Sequence, residues 1–479
     1  MRLDLNKLDE NTLLKDYDFC IVGSGPAGIT LALELSKKGR SVALCEAGDI
    51  KLDARSQNIY KGSVVGDNYM PLDSTRLRYF GGSSMHWGGM CRTLPDEDFK
   101  PINGIPYSGW PIDKADLDVY FKQATKILEL KSQPDDKVVD ENIDLNNINF
   151  TYSPPVRFGN KYYTAIKKSS KIHLINNANL VDVMKEGDKI KSAVLLNYKK
   201  EKYSILARNY IFAMGGIENS RLMLWINEKS DKKVFDPALP LGKYWMEHLK
   251  INTGDALISS PDKFFGYIKS KFFSLGKFQK LKSGLSSCHI RLNKYEYSRT
   301  KTKQLINNLL CVAPNIGSYF KSLFGRNLIC GSNVEAHCEQ LPLKENRIRI
   351  SNTDFDEFGI PRTILHWKKT ENDFKSAIET TLAINKYFLK YDIGRLRVKP
   401  WIQNHNNIPL KEASGDHHHM GGTRMSDSPR YGVVDLNCKV FGLDNLFIAG
   451  SSVFPRSGSV NPTLTIVQLS LRLAKHLLS

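Results

Sequence analysis

Residues 17–46, YDFCIVGSGPAGITLALELSKKGRSVALCE, constrain the fold more than any other stretch of the chain. An apolar run, Tyr17–Val22, meets the turn Gly23-Ser24-Gly25-Pro26-Ala27-Gly28. A run of helical period follows, with Ile29, Ala32, Leu33 and Leu35 on one side, and Gly39 closes it. A second strand-like run, Ser41–Cys45, ends at Glu46. Strand, glycine turn, helix and strand together predict an α/β, Rossmann-like domain that binds a dinucleotide. Gly23 makes the tight turn, Gly25 lets a pyrophosphate approach the backbone, and Gly28 lets the helix close on the strand. Ser24, Pro26 and Ala27 share that turn, where the helix start offers free amides and a positive dipole end to phosphate. Glu46 stands where it can accept from an adenosine ribose, which favours FAD or NAD over NADP.

Two later segments favour FAD. Residues 79–93, YFGGSSMHWGGMCRT, are glycine-dense but contain no second GxGxxG. Residues 207–224, ARNYIFAMGGIENSRLML, read as a buried strand, a Gly-Gly turn and a helix. Single-nucleotide NAD domains need no such distant returns to the cofactor site, whereas extended FAD domains do.

The chain has 479 residues, too many for one compact core, so a second domain is expected. No apolar run approaches membrane-spanning length. The N-terminal MRLDLNKLDENTLLKDYDF has no secretory character. Eight scattered cysteines without a CxxC fit free thiols in a reducing cytoplasm, and exclude both a dithiol reductase centre and a covalent c-type haem. The formal net charge is +18, and residues 261–303 mix Lys and Arg with Phe and Tyr. That stretch is either a solvated basic insertion or a docking surface for an anionic membrane or polyanionic substrate. No nucleic-acid-binding motif accompanies it, so nucleic acid is not expected as a partner.

Residues 416–425 read DHHHMGGTRM. In an extended segment His417 and His419 point one way and His418 the other, and in a helix the three diverge by about 100° each. Neither arrangement lets three imidazoles converge on one ion, and no partner Cys or carboxylate sits at metal-ligand spacing nearby. A solvated polar loop and a single functional histidine remain.

The segments GSGPAG, GGSSMHW, ARNYIFAMGGIENSRLML, LPLGKYWMEH, EAHCEQLPLKENRIRIS and DEFGIPR appear in this order, followed by a tail from His419 to Leu477. Together they resemble the glucose–methanol–choline (GMC) family of FAD-dependent oxidoreductases. GGSSMHW and the HMGGTRM run are closest in pattern to pyranose oxidase-like bacterial sugar oxidoreductases. The resemblance implies a catalytic histidine four residues before Thr423, which is His419, and a second catalytic position at Asn461 before Pro462. His417 and His418 are then structural or solvent-facing. Asn461 also suits a helix N-cap with Pro462 at the first helical position. The resemblance further implies cofactor contacts at Gly81, Gly82, Ser83, Ser84, His86, Trp87, Val181, Ala213, Gly215, Gly450, Ser451, Asn461, Pro462 and Thr463. His86 aligns with a position that some pyranose oxidases link covalently to flavin. Gly88 and Gly89 depart from the larger side chains of some oxidases, which puts oxygen reactivity in doubt.

The implied reaction is oxidation of a CH–OH group of a sugar or related alcohol. His419 would take the hydroxyl proton and flavin N5 the hydride. A non-redox lyase on the same scaffold and a flavin:pyridine-nucleotide reductase are the alternatives. The electron acceptor would be external: oxygen, a quinone or a redox protein. The expected location is the cytoplasm, with peripheral contact at the inner membrane face through the basic stretch.

The FAD domain is expected to be discontinuous, from 1–100, 151–250 and 415–479. Residues 101–150 and 251–414 would form a substrate domain. RIRIS (347–351), ILHWK (364–368) and RLRVK (395–399) read as strands of one antiparallel sheet, covered by a helix over 371–390. PDDKVVDENIDLNN (134–147) reads as an exposed acidic loop.

Overall fold

The structure, a computed structural model, describes residues 1–9, 12–105, 107–131, 135–231, 233–294 and 332–479. Two large sheets organise it. The first runs in the order Arg2–Asp4, Ile172–Asn176, Val42–Cys45, Leu13–Val22, Lys202–Phe212, Lys189–Leu196, Asn179–Glu186. Its first five strands are parallel, and Leu446–Ile448 also pairs in parallel with Lys202–Phe212. All four residues of Val42–Cys45 are buried, as expected of a parallel strand covered on both faces. The last two strands form an antiparallel hairpin that turns at Gly187-Asp188. Helix Pro26–Lys37 packs against the C-terminal helix Thr463–Leu478, which buries Leu464, Val467, Leu471 and Ala474 along one side.

The second sheet is antiparallel, in the order Gly394–Val398, His248–Ile258, Ser332–Glu339, Cys288–Asn293, Ser270–Leu275, Leu145–Ile148, Lys137–Asp140. Helix Lys375–Lys390 covers it with Ile378 buried, Leu382 half-buried, and Phe374 in the preceding short turn. A mixed α/β architecture, with a largely parallel sheet built from separate parts of the chain beside an antiparallel one, agrees with the expected fold class.

Several expectations need correction. RIRIS and ILHWK pair with each other but not with RLRVK. They form a separate three-stranded sheet whose third, parallel member is Gly62–Gly66 from the N-terminal part of the chain. Buried Arg221 anchors this sheet to helix Gly215–Lys229, donating to the Pro361 carbonyl at 2.7 Å and pairing with Asp356 at 2.6 Å. Alternation within a strand shows that a strand exists but not which sheet it joins. The acidic segment 134–147 is largely a hairpin, Lys137–Asp140 with Leu145–Ile148, and its Asp140 is buried against Lys390 at 2.7 Å. The basic stretch is no simple insertion: strands Ser270–Leu275 and Cys288–Asn293 belong to the second sheet. Residues 295–303 of that stretch lie outside the described residues. Among the described residues no helix is long and apolar enough to cross a membrane.

Candidate active site

A cavity of about 470 Å³ runs from the glycine turn to the three histidines, within the usual range for cofactor and ligand sites. Its construction begins at the turn. A Cβ on Gly23, whose φ is +107°, would meet the Ala213 carbonyl oxygen at 2.4 Å, and one on Gly28 would meet the Gly23 oxygen at 1.9 Å. A Cβ on Gly25 would meet nothing within 4 Å. Gly23 and Gly28 thus hold the strands and helix together, while Gly25 opens onto the cavity. Glu46 is buried, accepting from the Ser24 hydroxyl at 2.5 Å and from the Gly48 amide at 2.9 Å. Its carboxylate ties the second strand's end to the glycine turn while still lining the cavity.

Most of the expected cofactor contacts line this cavity: Gly23, Ser24, Gly25, Pro26, Ala27, Glu46, Gly82, Ser83, Ser84, His86, Trp87, Ala213, Gly215, Gly450, Ser451, Asn461, Pro462 and Thr463. Three do not. Gly28 acts one layer behind, as its clash shows. Gly81 packs on the Gly159 backbone, where a Cβ would come within 2.6 Å of the Gly159 nitrogen. Val181 turns its carbonyl to the Trp225 indole at 3.1 Å, and Ala178 and Leu180 take the wall instead. Arg76 was not anticipated. It lies 3.9 Å over the Tyr60 ring, pairs with Glu218 at 3.2 Å, and brings a buried cation to the wall. Nothing in STRLRY marked it in advance.

At the reacting end, strand His248–Ile258 and the segment 414–420 pair in antiparallel fashion on both sides of the histidines. The Asp416 amide donates to the His248 carbonyl at 3.1 Å, and Met246 and Met420 exchange amides at 2.8 and 3.0 Å. Residues 417–419 bulge between these anchor points. His417 has φ +62°, a left-handed value rare outside glycine, and is exposed. That turn breaks the strict alternation expected of an extended segment. His418 swings to Asn461, whose Nδ2 lies 3.2 Å from its Nε2. His419 turns the other way, its Nε2 3.0 Å from the Tyr69 hydroxyl and its ring beside Trp245.

Asn461 therefore faces His418, not the His419 of the sequence-based pairing. Its capping role is also not realised: helix Thr463–Leu478 has no side-chain cap, and Asn461 spends its amide on the histidine. Pro462 and Thr463 still present the helix start to the cavity.

Glu247, fully buried, binds the bulge from below. Its Oε1 accepts from the His418 amide at 2.6 Å and the His248 amide at 2.9 Å, and its Oε2 receives the Tyr69 hydroxyl. Burial pushes its carboxyl up to about 8 despite these donors. Burial, aided by His248, pushes His418 down to about 3, and burial holds His419 well below the ordinary imidazole value. Next to this lies an ionic group. His337 bonds Asp416 at 2.8 Å and Glu335 at 3.1 Å. Burial opposes its charge, but the two carboxylates outweigh that and raise it to about 9.

Residues 342–470 match the family model described as GMC oxidoreductase, C-terminal domain. That match covers the C-terminal part of the chain. The chain is similar to the fructose dehydrogenase large subunit of Gluconobacter japonicus, 26% identical over 327 residues, which cover 67% of this chain and 56% of that protein. It is also similar to a C-glycoside 3-oxidase of Arthrobacter globiformis, 26% identical over 157 residues, 33% of this chain and 27% of that one. The matched stretches thus span less than two thirds of either relative. The crystal structure of pyridoxine 4-oxidase from Mesorbium loti shares the fold, with a TM-score of 0.62 at 16% identity over 96% of this chain and 99% of that one.

Proposed function

We propose that this chain is an oxidoreductase of the GMC type that oxidises a CH–OH group of a sugar or related small alcohol, with FAD held in the long cavity. The observation that carries this reading is the convergence of Asn461 Nδ2 and His418 Nε2 at one end of a cavity whose other end is the dinucleotide turn and Glu46. The residues present suit FAD. Gly25, Gly215 and Gly450 leave open space where a phosphate or ring would lie, and the turn between them is closed only by backbone. When bound, FAD supplies the acceptor for the two electrons and hydrogen that leave carbon as hydride.

The protein's part is the proton and the geometry. An alcohol proton is too weakly acidic to leave alone near neutral pH, so a base must take it as the C–H bond breaks. His418 is neutral there and holds a lone pair on Nε2 toward Asn461. We assign the base to His418, and substrate-oxygen orientation to the Asn461 amide. His419, committed to Tyr69 and walled by Trp245, is assigned a structural role. His86 is exposed to the cavity, and its ring makes no hydrogen bond among the described residues, so it is the attachment point if the cofactor is covalent. A sugar substrate is supported by the two carbohydrate-acting relatives. A peripheral membrane contact is supported by exposed Phe278 and Leu281 (68% and 50%) between Lys277 and Lys282.

The test is anaerobic mixing of the purified yellow protein with sugars and simple alcohols while absorbance near 450 nm is followed. Bleaching by a sugar supports the reading. Turnover of a hydroxynitrile or of NADH without bleaching by any alcohol would replace it with the lyase or reductase alternative. Colour retained on an acid-precipitated pellet would support attachment at His86.

A further inference from the structure

The side of His418 away from Asn461 has a partner of its own. His248 Nδ1 lies 2.9 Å from His418 Nδ1, with the rings edge to face at 82°. Two imidazole nitrogens at that distance share one proton, so one donates and the other accepts. Which one donates follows from Asn461. An amide nitrogen has only donors, so Asn461 Nδ2 donates to His418 Nε2, which must then carry a lone pair. The proton of neutral His418 is therefore on Nδ1 and is given to His248 Nδ1. His248 in turn carries its own proton on Nε2, a buried atom with no hydrogen-bond partner among the described residues.

Resting on the assignment of His418 as base, we infer that His248 is a positioning residue that fixes the tautomer and ring orientation of His418. The inference stands on how the two rings are brought together. They come from adjacent paired segments, and one carboxylate oxygen, Glu247 Oε1, holds the amides of both residues. His248 is 2% exposed and reaches no solvent that could replace it as acceptor. With His248 accepting at Nδ1, His418 keeps its lone pair on Nε2, where the substrate hydroxyl takes the place of the Asn461 amide as donor. Once His418 has taken that proton, His248 still accepts the Nδ1 proton of the imidazolium. Partners that orient a metal-bound histidine in this way are typically worth about 10–100-fold in activity, and a loss of the same order is expected here.

The test uses the FAD-loaded protein labelled with ¹⁵N-histidine, and long-range ¹H–¹⁵N correlation to read which ring nitrogen of His418 bears the proton. The His418→Gln variant identifies the signal. The wild type is expected to show His418 protonated at Nδ1. His248→Leu should lose that preference and reduce its flavin about 10–100-fold more slowly at saturating substrate. His248→Gln, whose Oε1 can accept from Nδ1, should restore both the tautomer and most of the rate. A wild-type His418 protonated at Nε2, or a His248→Leu variant reducing at the wild-type rate, overturns the inference. If His248→Leu fails to fold, the wild-type spectrum and the Gln variant still decide. His418→Ala separates the two levels: if it is itself harmless, the base assignment falls. If it is crippling while His248→Leu is not, only the positioning role falls.

Discussion

Glu247→Gln should make the fold more stable in alkali, with little change in acid. Glu247 is fully buried, and its only compensation is two backbone amides and the Tyr69 hydroxyl. Burial raises its carboxyl from 4.5 to about 8. Between those values the folded chain holds a proton that the unfolded chain has released, so stability falls as pH rises through that window. At about 1.4 kcal/mol per pH unit, the full span costs on the order of 5 kcal/mol by pH 9, an upper bound because relaxation reduces it. Glutamine keeps the acceptor for both amides, and its NH₂ can donate to Tyr69. Tyr69 is then free to donate to His419 Nε2, 3.0 Å away. Urea denaturation of wild type and variant at pH 5 and pH 9 reads the difference. The variant should gain several kcal/mol relative to wild type between the two pH values. An equal wild-type-to-variant difference at both would refute the buried, protonated Glu247.

The depressed His418 value predicts that kcat/KM for the substrate shows no acid limb near pH 6.5, the ordinary histidine range; a limb there, read from a pH–rate profile, would contradict a base held neutral by burial. Gly28→Ala should cost about 1–3 kcal/mol and loosen cofactor binding, because its Cβ would meet the Gly23 oxygen at 1.9 Å; thermal melts and flavin content after gel filtration measure both. Replacing Phe278 and Leu281 together by Ser should abolish co-sedimentation with anionic liposomes; undiminished binding would remove this surface from consideration.

The sequence disclosed the cofactor half of the molecule because its constraints are local. Gly23, Gly25 and Gly28 fall within six residues: Gly23 turns with a positive φ against the Ala213 carbonyl, Gly28 closes on the Gly23 oxygen, Gly25 leaves the cavity open, and Glu46 ends the next strand. The reacting end was legible only in part. That one histidine of DHHHMGGTRM would face Asn461 could be expected by resemblance. Which one depends on a left-handed turn at His417 and on pairing of residues 416 and 420 with a strand some 170 positions earlier. Neither leaves a periodic trace. For the same reason Glu247 and His248 were read only as part of a family segment, since their roles come from what they touch across the ladder. Sheet membership of RIRIS and RLRVK was likewise hidden, because alternation fixes the face of a strand and not its neighbour.

The assignment of the base is tested most directly by single-turnover flavin reduction in His418→Ala and His419→Ala, both first shown by absorbance to retain FAD. Loss of a general base slows the step about 10²–10⁴-fold. The account predicts that loss for His418→Ala, with His419→Ala reducing within about tenfold of wild type. The reverse order, with His419→Ala crippled and His418→Ala near wild type, would contradict it.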